Sequence, residues 1–153
     1  MKNDPHIKQH LYAQCVNFVE DRYSKIQIQI NEIQESLTSE TKSSAGDKHE
    51  TGRAMLQLER EKVGQQLAEV EILKEALSKI DVTKHSEIVG LGSVVMTSNA
   101  NYYLAISAGQ MTANSQSFFA ISPNTPMGLL LMGKGIGDVV VFRDSKFVIE
   151  NIF

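Results

Sequence analysis

Apolar residues recur along the first part of the chain at steps of four and three: Tyr12, Val16, Val19, Tyr23, Ile26, Ile30, Ile33 and Leu37. This is an unbroken heptad stripe, and Gln27, Gln29, Asn31, Glu32, Gln34 and Glu35 fill most of the positions around its second half. Asp4-Pro5 supplies a helix start, with Asp as cap and Pro at the first helical position. The stripe therefore predicts a helix from His6 to about Glu40, ~50 Å long at ~1.5 Å per residue. A second stripe follows at Leu56, Val63, Val70 and Leu77, with Leu67 between two of them. Arg60 and Lys74 stand where a strict seam wants apolar groups, and Leu73 and Ile80 widen the stripe instead. A helix with so narrow a stripe needs a partner helix more than a broad core. Two stripes of similar length joined by a short break predict an antiparallel coiled-coil hairpin over residues 1–85.

The break is Lys42–Ala54, KSSAGDKHETGRA, which puts the hairpin tip near 41–53. After Ser86 the period becomes strand-like. Ile88–Thr97, Tyr102–Ser107, Phe118–Ser122, Asp138–Arg143 and Phe147–Phe153 read as strands rich in Val, Ile and Phe. Asn99–Asn101 and Arg143–Ser145 read as turns. Met127–Met132 reads as an apolar helical turn that covers one sheet face, approached by Pro123 and Pro126 and ended by Gly133, Gly135 and Gly137. The fold class is α+β, with a helical hairpin followed by a small strand-rich domain at 86–153.

Composition sharpens this division. Residues 1–85 hold 12 Lys/Arg and 14 Asp/Glu, against 3 and 4 in the remainder, while seven of the ten glycines lie after position 86. The net charge of −3 gives no global basic field that would draw the chain to nucleic acid. Cys15 is the one cysteine, so no disulfide framework exists within the chain. No secretory leader and no run of about 18 apolar residues is visible, so the expected location is the cytoplasm and no membrane partner is expected.

Candidate chemistry concentrates at the tip. Asp47 and Glu50, three apart, read first as a capping box at the start of the second helix, where both carboxylates favour the positive helix end. The same pair could also help hold a hard divalent cation, but two carboxylates are too few to hold it alone, so a partner would have to complete the shell. Lys42, Lys48, His49 and Arg53 around them read as solvated charge or as a small basic collar for a phosphate backbone. His6 and His10 have metal-compatible spacing without a third ligand and read as exposed helix residues. Gly133-x-Gly135-x-Gly137 departs from GxGxxG and reads as turn glycines. The strand-rich domain has few ionisable groups and no Ser/His/Asp or Cys/His set, which points to docking.

Three stretches together carry a resemblance. They are Gly46-Asp47-x-x-Glu50 at the tip, Leu91-Gly92-Ser93-Val94-Val95, and Ile121–Phe142, ISPNTPMGLLLMGKGIGDVVVF. Over nearly the whole chain the sequence resembles the bacterial Gre transcript-cleavage factors. The resemblance implies a coiled-coil hairpin and an FKBP-like C-terminal domain. It implies RNA polymerase as partner, with the hairpin in the polymerase secondary channel and only indirect contact with nascent RNA. It implies that Asp47 and Glu50 act at the polymerase active site on a Mg²⁺ shared with the polymerase, which hydrolyses backtracked RNA. The chain itself would then be an accessory factor and not an enzyme. It also implies that Lys42, Lys48, His49 and Arg53 face polymerase or RNA, and that Ser122, Pro123, Pro126, Gly128, Gly133, Lys134, Gly137 and Asp138 form the docking motif. Where the family has Leu-Ser between its tip acids, this chain has Lys48-His49. Positive charge there weakens cation binding at low salt. The alternative is a regulator that occupies the channel without promoting cleavage. A remote alternative is a stand-alone acyltransferase using Cys15, whose mid-helix position instead reads as a small apolar packing residue.

Overall fold

The computed structural model describes residues 5–42 and 46–153, and for residues 5, 40–42 and 46–50 it describes the backbone alone. The fold is α+β: two long N-terminal helices precede a six-stranded mixed sheet. The helices are α1 (Pro5–Lys42) and α2 (Gly46–Ser78). The strands are β1 (Val94–Thr97), β2 (Asn101–Leu104), β3 (Gly109–Ala113), β4 (Gln116–Ile121), β5 (Val139–Phe142) and β6 (Ser145–Ile152), with α3 (Pro126–Leu131) between β4 and β5. The chain divides into two compact units, Val19–Lys74 and a sheet unit made of Met1–Phe18 with Glu75–Phe153. The composition shift near 85 follows the sequence. The contacts instead group the first part of α1 and the last residues of α2 with the sheet.

In Val19–Lys74 the heptad stripe is what is buried. Val19, Ile26 and Ile33 on α1, and Val63 and Val70 on α2, are buried, with Tyr23, Ile30, Leu37, Leu56 and Leu67 partly so. Side-chain contacts link the two helices: Arg53 Nη1 donates to the Leu37 carbonyl at 3.4 Å, and the Lys74 ammonium lies 3.7 Å from the centre of the Tyr23 ring. The second contact explains the cation in the seam. The Lys74 stem covers apolar surface while its charge rests on an aromatic face.

Within the sheet unit the stripe on α1 broadens. Ile7, Lys8, Leu11 and Cys15 are buried, and the expected seam positions Tyr12 and Val16 are only half-buried. This part of α1 lies against the sheet as well as against the end of α2. The Tyr12 hydroxyl donates to the Leu77 carbonyl at 3.0 Å, and Gln14 Nε2 donates to the Thr112 carbonyl at 2.9 Å.

The sheet order is β3-β4-β2-β1-β6-β5. All neighbouring pairs are antiparallel except β2 with β4. One core lies on the α3 side, built from Val89, Val95, Tyr102, Leu104, Leu131, Val140, Phe147, Ile149 and Ile152. Met127, Leu130 and Met132 pack against it, so α3 covers this face. Ile149 and Ile152 share the core although they stand three positions apart, an odd step along a strand. The β1–β6 register pairs Met96 with Asn151 but Thr97 with Ile149, and the irregularity between them resets the strand's alternation.

Two expectations for the strands change. The strand expected over Ile88–Thr97 begins only at Val94, because Gly92 takes φ +89° and Gly90–Ser93 turns the chain. Ile88 bridges Gly135 in isolation. A strand absent from the sequence reading, β3, pairs with β4 through a turn in which Asn114 and Ser115 have φ 54° and 62°. Both central residues of a type I′ hairpin need positive φ, and Asn-Ser is a weaker signal for it than Asn-Gly.

Candidate functional site

α2 begins at Gly46, so the helical backbone already includes Asp47 and Glu50, three residues apart on its first turns. The side chains of Asp47, Glu50, Lys42, Lys48 and His49 lie outside the described residues. Arg53 is described and is half-buried, engaged with Leu37 on α1 as above. Among the described residues no three His, Cys, Asp or Glu side chains gather into a cation site. His6 and His10 are exposed on α1.

The segment Ser122–Asp138 is a tightly specified connection from β4 through α3 to β5. Thr125 caps α3: its hydroxyl accepts from the Gly128 amide at 3.0 Å and donates to the Ser122 carbonyl at 2.8 Å. Ser122 Oγ accepts from the Asn124 amide at 3.2 Å, and Pro126 sits in the first helical turn. Gly128 has no substitute here, since a Cβ would collide with the Ser122 carbonyl oxygen and the Pro123 backbone. Gly133 leaves the helix at φ +81°, and its amide donates to the Val89 carbonyl at 2.9 Å. The Lys134 carbonyl accepts from the Val89 amide at 2.9 Å, while its side chain is exposed. Gly137, at φ +91°, and Asp138 together oppose Ile149. The Gly137 amide donates to the Ile149 carbonyl at 2.7 Å, and the Ile149 amide to the Asp138 carbonyl at 3.0 Å. This is a bulge that needs a left-handed glycine. The Asp138 carboxylate accepts from the Gly135 amide at 2.7 Å. Every residue singled out in this stretch therefore has a local structural role, with Lys134 contributing only its backbone.

The sequence reading passed over Lys8 and Tyr103, and weighed Cys15 only as a remote nucleophile or a packing residue. Lys8 is 7% exposed, and its ammonium donates to the Lys84 carbonyl at 2.7 Å. Burial pushes its pKa down against the pull of Asp81. With Lys79, Asp81, Lys84, Ser86 and the Ile88–Ser93 turn it lines a cavity of about 510 Å³. A Lys inside a widened apolar stripe (Ile7, Leu11, Cys15) is the signal that could have found it. Cys15 is buried, and burial pushes its thiol up to about 12 against a hydrogen bond from the Ile106 backbone. Tyr103 is fully buried, and its hydroxyl makes no hydrogen bond among the described residues. Burial, then the neighbouring Cys15 and Tyr12, push its pKa upward.

Comparison with known proteins finds no family model that matches this chain, and no curated protein that matches it. Among the described residues no helix is long and apolar enough to cross a membrane.

Proposed function

We propose that this chain is a Gre-like transcription elongation factor. In this reading α1 and α2 form an antiparallel coiled-coil hairpin that enters the RNA polymerase secondary channel. The sheet is an FKBP-like domain that docks at the channel rim through the Ser122–Asp138 connection. One observation carries the reading. Two helices of 38 and 33 residues, buried at heptad spacing, end and begin at Lys42 and Gly46, next to Asp47 and Glu50. A rod that long is more than so small a sheet needs for its own stability. It becomes useful if its purpose is delivery of two acids.

Asp47 and Glu50 would share one Mg²⁺ with carboxylates of the polymerase, since two ligands leave the shell of a hard cation incomplete. When bound, such an ion activates water and stabilises the leaving oxygen of an in-line displacement. The polymerase then cleaves the RNA, and this chain supplies positioning and charge. Such a factor works in the cytoplasm, with no membrane partner. Cys15 offers no support for an acyltransferase, because its buried thiol is pushed to about 12, the opposite of an activated nucleophile.

The test is a stalled, backtracked elongation complex with RNA shortening as readout, preceded by capture of RNA polymerase on the immobilised chain. Asp47→Ala should leave capture intact and slow cleavage by about tenfold or more, ~1.4 kcal/mol of barrier per factor of ten. An equal rate with the variant would remove the metal role. Polymerase capture with no cleavage by the unaltered chain, and slower nucleotide addition, would favour the second reading. That reading is a channel-occupying regulator, favoured by Lys48 and His49 beside the acids.

A further inference from the structure

After α2 the chain crosses from Lys79 to Ser93 before entering β1, and this crossing lines the cavity of about 510 Å³ together with Lys8 of α1. Every residue of the lining belongs to the sheet unit. Its walls are tied in place. Gly92, at φ +89°, lets the Gly90–Ser93 turn lie close on Ile80, since a Cβ there would stand 3.0 Å from Ile80 Cγ2. The Ser93 amide donates to the Gly90 carbonyl at 3.1 Å, and the Gly90 amide to the Ser93 hydroxyl at 2.9 Å. Asp81 Oδ1 accepts from the Thr83 amide at 2.9 Å and from its hydroxyl at 2.6 Å.

The charge of the lining is one-sided. Lys8, Lys79 and Lys84 stand against a single carboxylate, Asp81, in a chain whose net charge is −3. Lys79 and Lys84 are exposed, and Lys79 meets Glu75 at 3.6 Å in a weak surface pair. Lys8 is different. It is 7% exposed, and the Lys84 carbonyl is the one acceptor its ammonium has among the described residues. An ammonium carries three donors, so two remain. Among the described residues no carboxylate pairs with it, and Asp81 acts on it only from farther off. Buried charges in proteins are ordinarily paired. Burial pushes the Lys8 pKa down, and an anion brought beside it would favour the charged form again.

We propose that this cavity binds a small phosphate monoester, with Lys8 as the buried contact and Lys79 and Lys84 as the outer ones. The excess of two positive charges matches such a group, which carries about −1.5 to −2 at neutral pH. A phosphodiester carries one charge and leaves part of the excess uncovered. Ile88 and Leu91, 55% and 40% exposed, share the lining and give an organic body an apolar surface to rest on. The volume falls within the range of small-molecule sites, about 300–1,000 Å³, and is more than a bare phosphate fills.

Titration of the full chain with phenyl phosphate, followed by backbone amide NMR shifts, tests this. Saturable shifts should concentrate at residues 79–86 and 90–93. Phenyl phosphate should bind about tenfold tighter than benzenesulfonate, the same ring with one charge fewer. Lys8→Met removes the charge and keeps an apolar stem, so it should weaken phenyl phosphate about tenfold or more. Asp81→Asn removes the opposing charge and should tighten it about threefold, a change that a purely structural lysine cluster would not produce. If Lys8→Met fails to fold, Lys84→Gln takes its place, with an expected weakening of about threefold. Shifts that never saturate, or equal affinity for phenyl phosphate and benzenesulfonate, would overturn the proposal. So would binding untouched by the lysine substitution, or unchanged or weaker in Asp81→Asn. A short oligoribonucleotide without a terminal phosphate is the last arm: tighter binding of it at the same residues also counts against a monoester site.

Discussion

The helical unit and the sheet unit bury their apolar residues under opposite constraints. In Val19–Lys74 each helix has one apolar partner, so burial returns every seventh residue and the remaining faces stay polar. In the sheet unit β1 is buried at all four positions and β2 at three of four. One face meets α3, and the other meets the first turns of α1. A surface with one dry side writes a readable period into the sequence. A surface with two dry sides erases it and shifts the specificity into turns, bulges and caps. The two units should therefore fail in different ways. The helices should be sensitive at periodic positions. The sheet should be sensitive at isolated backbone features.

The largest effect is expected at Gly128. Its Cα faces the Ser122 carbonyl and the Pro123 backbone, neither of which is a side-chain end that can swing aside. Gly128→Ala should cost about 3 kcal/mol, and chemical denaturation followed by tyrosine fluorescence of the sheet would measure it. A loss under about 0.5 kcal/mol, as expected of ordinary surface positions, would mean that the connection yields and is not a rigid element.

The comparison sharpens at two isoleucines two residues apart on α1. Ile26 is 7% exposed and Ile28 57%. Ile26→Ala should cost about 2–3 kcal/mol by lost transfer energy and a cavity, whereas Ile28→Ala should fall within about 0.5 kcal/mol of zero. Both are read by helical circular dichroism in denaturant. Equal costs would mean that the heptad pattern does not govern this unit.

The same contrast explains what was legible beforehand. The stripes on both helices could be read because Val19, Ile26, Ile33, Val63 and Val70 follow a single period. The stripe was misplaced only at Tyr12 and Val16, where burial on a second surface moves it to Leu11 and Cys15. β3 was missed because only Met111 and Ala113 of its five residues are buried, and Asn114-Ser115 is a weak turn signal. The late start of the first expected strand depends on the left-handed backbone at Gly92, and the skip at Glu150 in β6 depends on pairing with β1. Neither follows from residue type alone. At the candidate site, Asp47 and Glu50 were legible as a spacing. The clamp made by Lys8 on Lys84 was not, because it joins residues 76 positions apart.

A further expected effect is small, has the opposite sign and tests the second dry face directly. Tyr103 is fully buried beneath the first turns of α1, and its hydroxyl has no partner among the described residues. An unpaired buried hydroxyl carries its desolvation cost into the folded state. Tyr103→Phe deletes that oxygen and keeps the ring, so the variant should be more stable by about 1 kcal/mol, raising the melting temperature by about 2–4 °C. Scanning calorimetry would measure the shift. A drop in stability would mean that the hydroxyl is satisfied, by a buried water for example, and that the face between Tyr103 and Cys15 is wetter than its packing implies. The sign of one small shift therefore distinguishes a sheet sealed on both sides from one sealed only beneath α3.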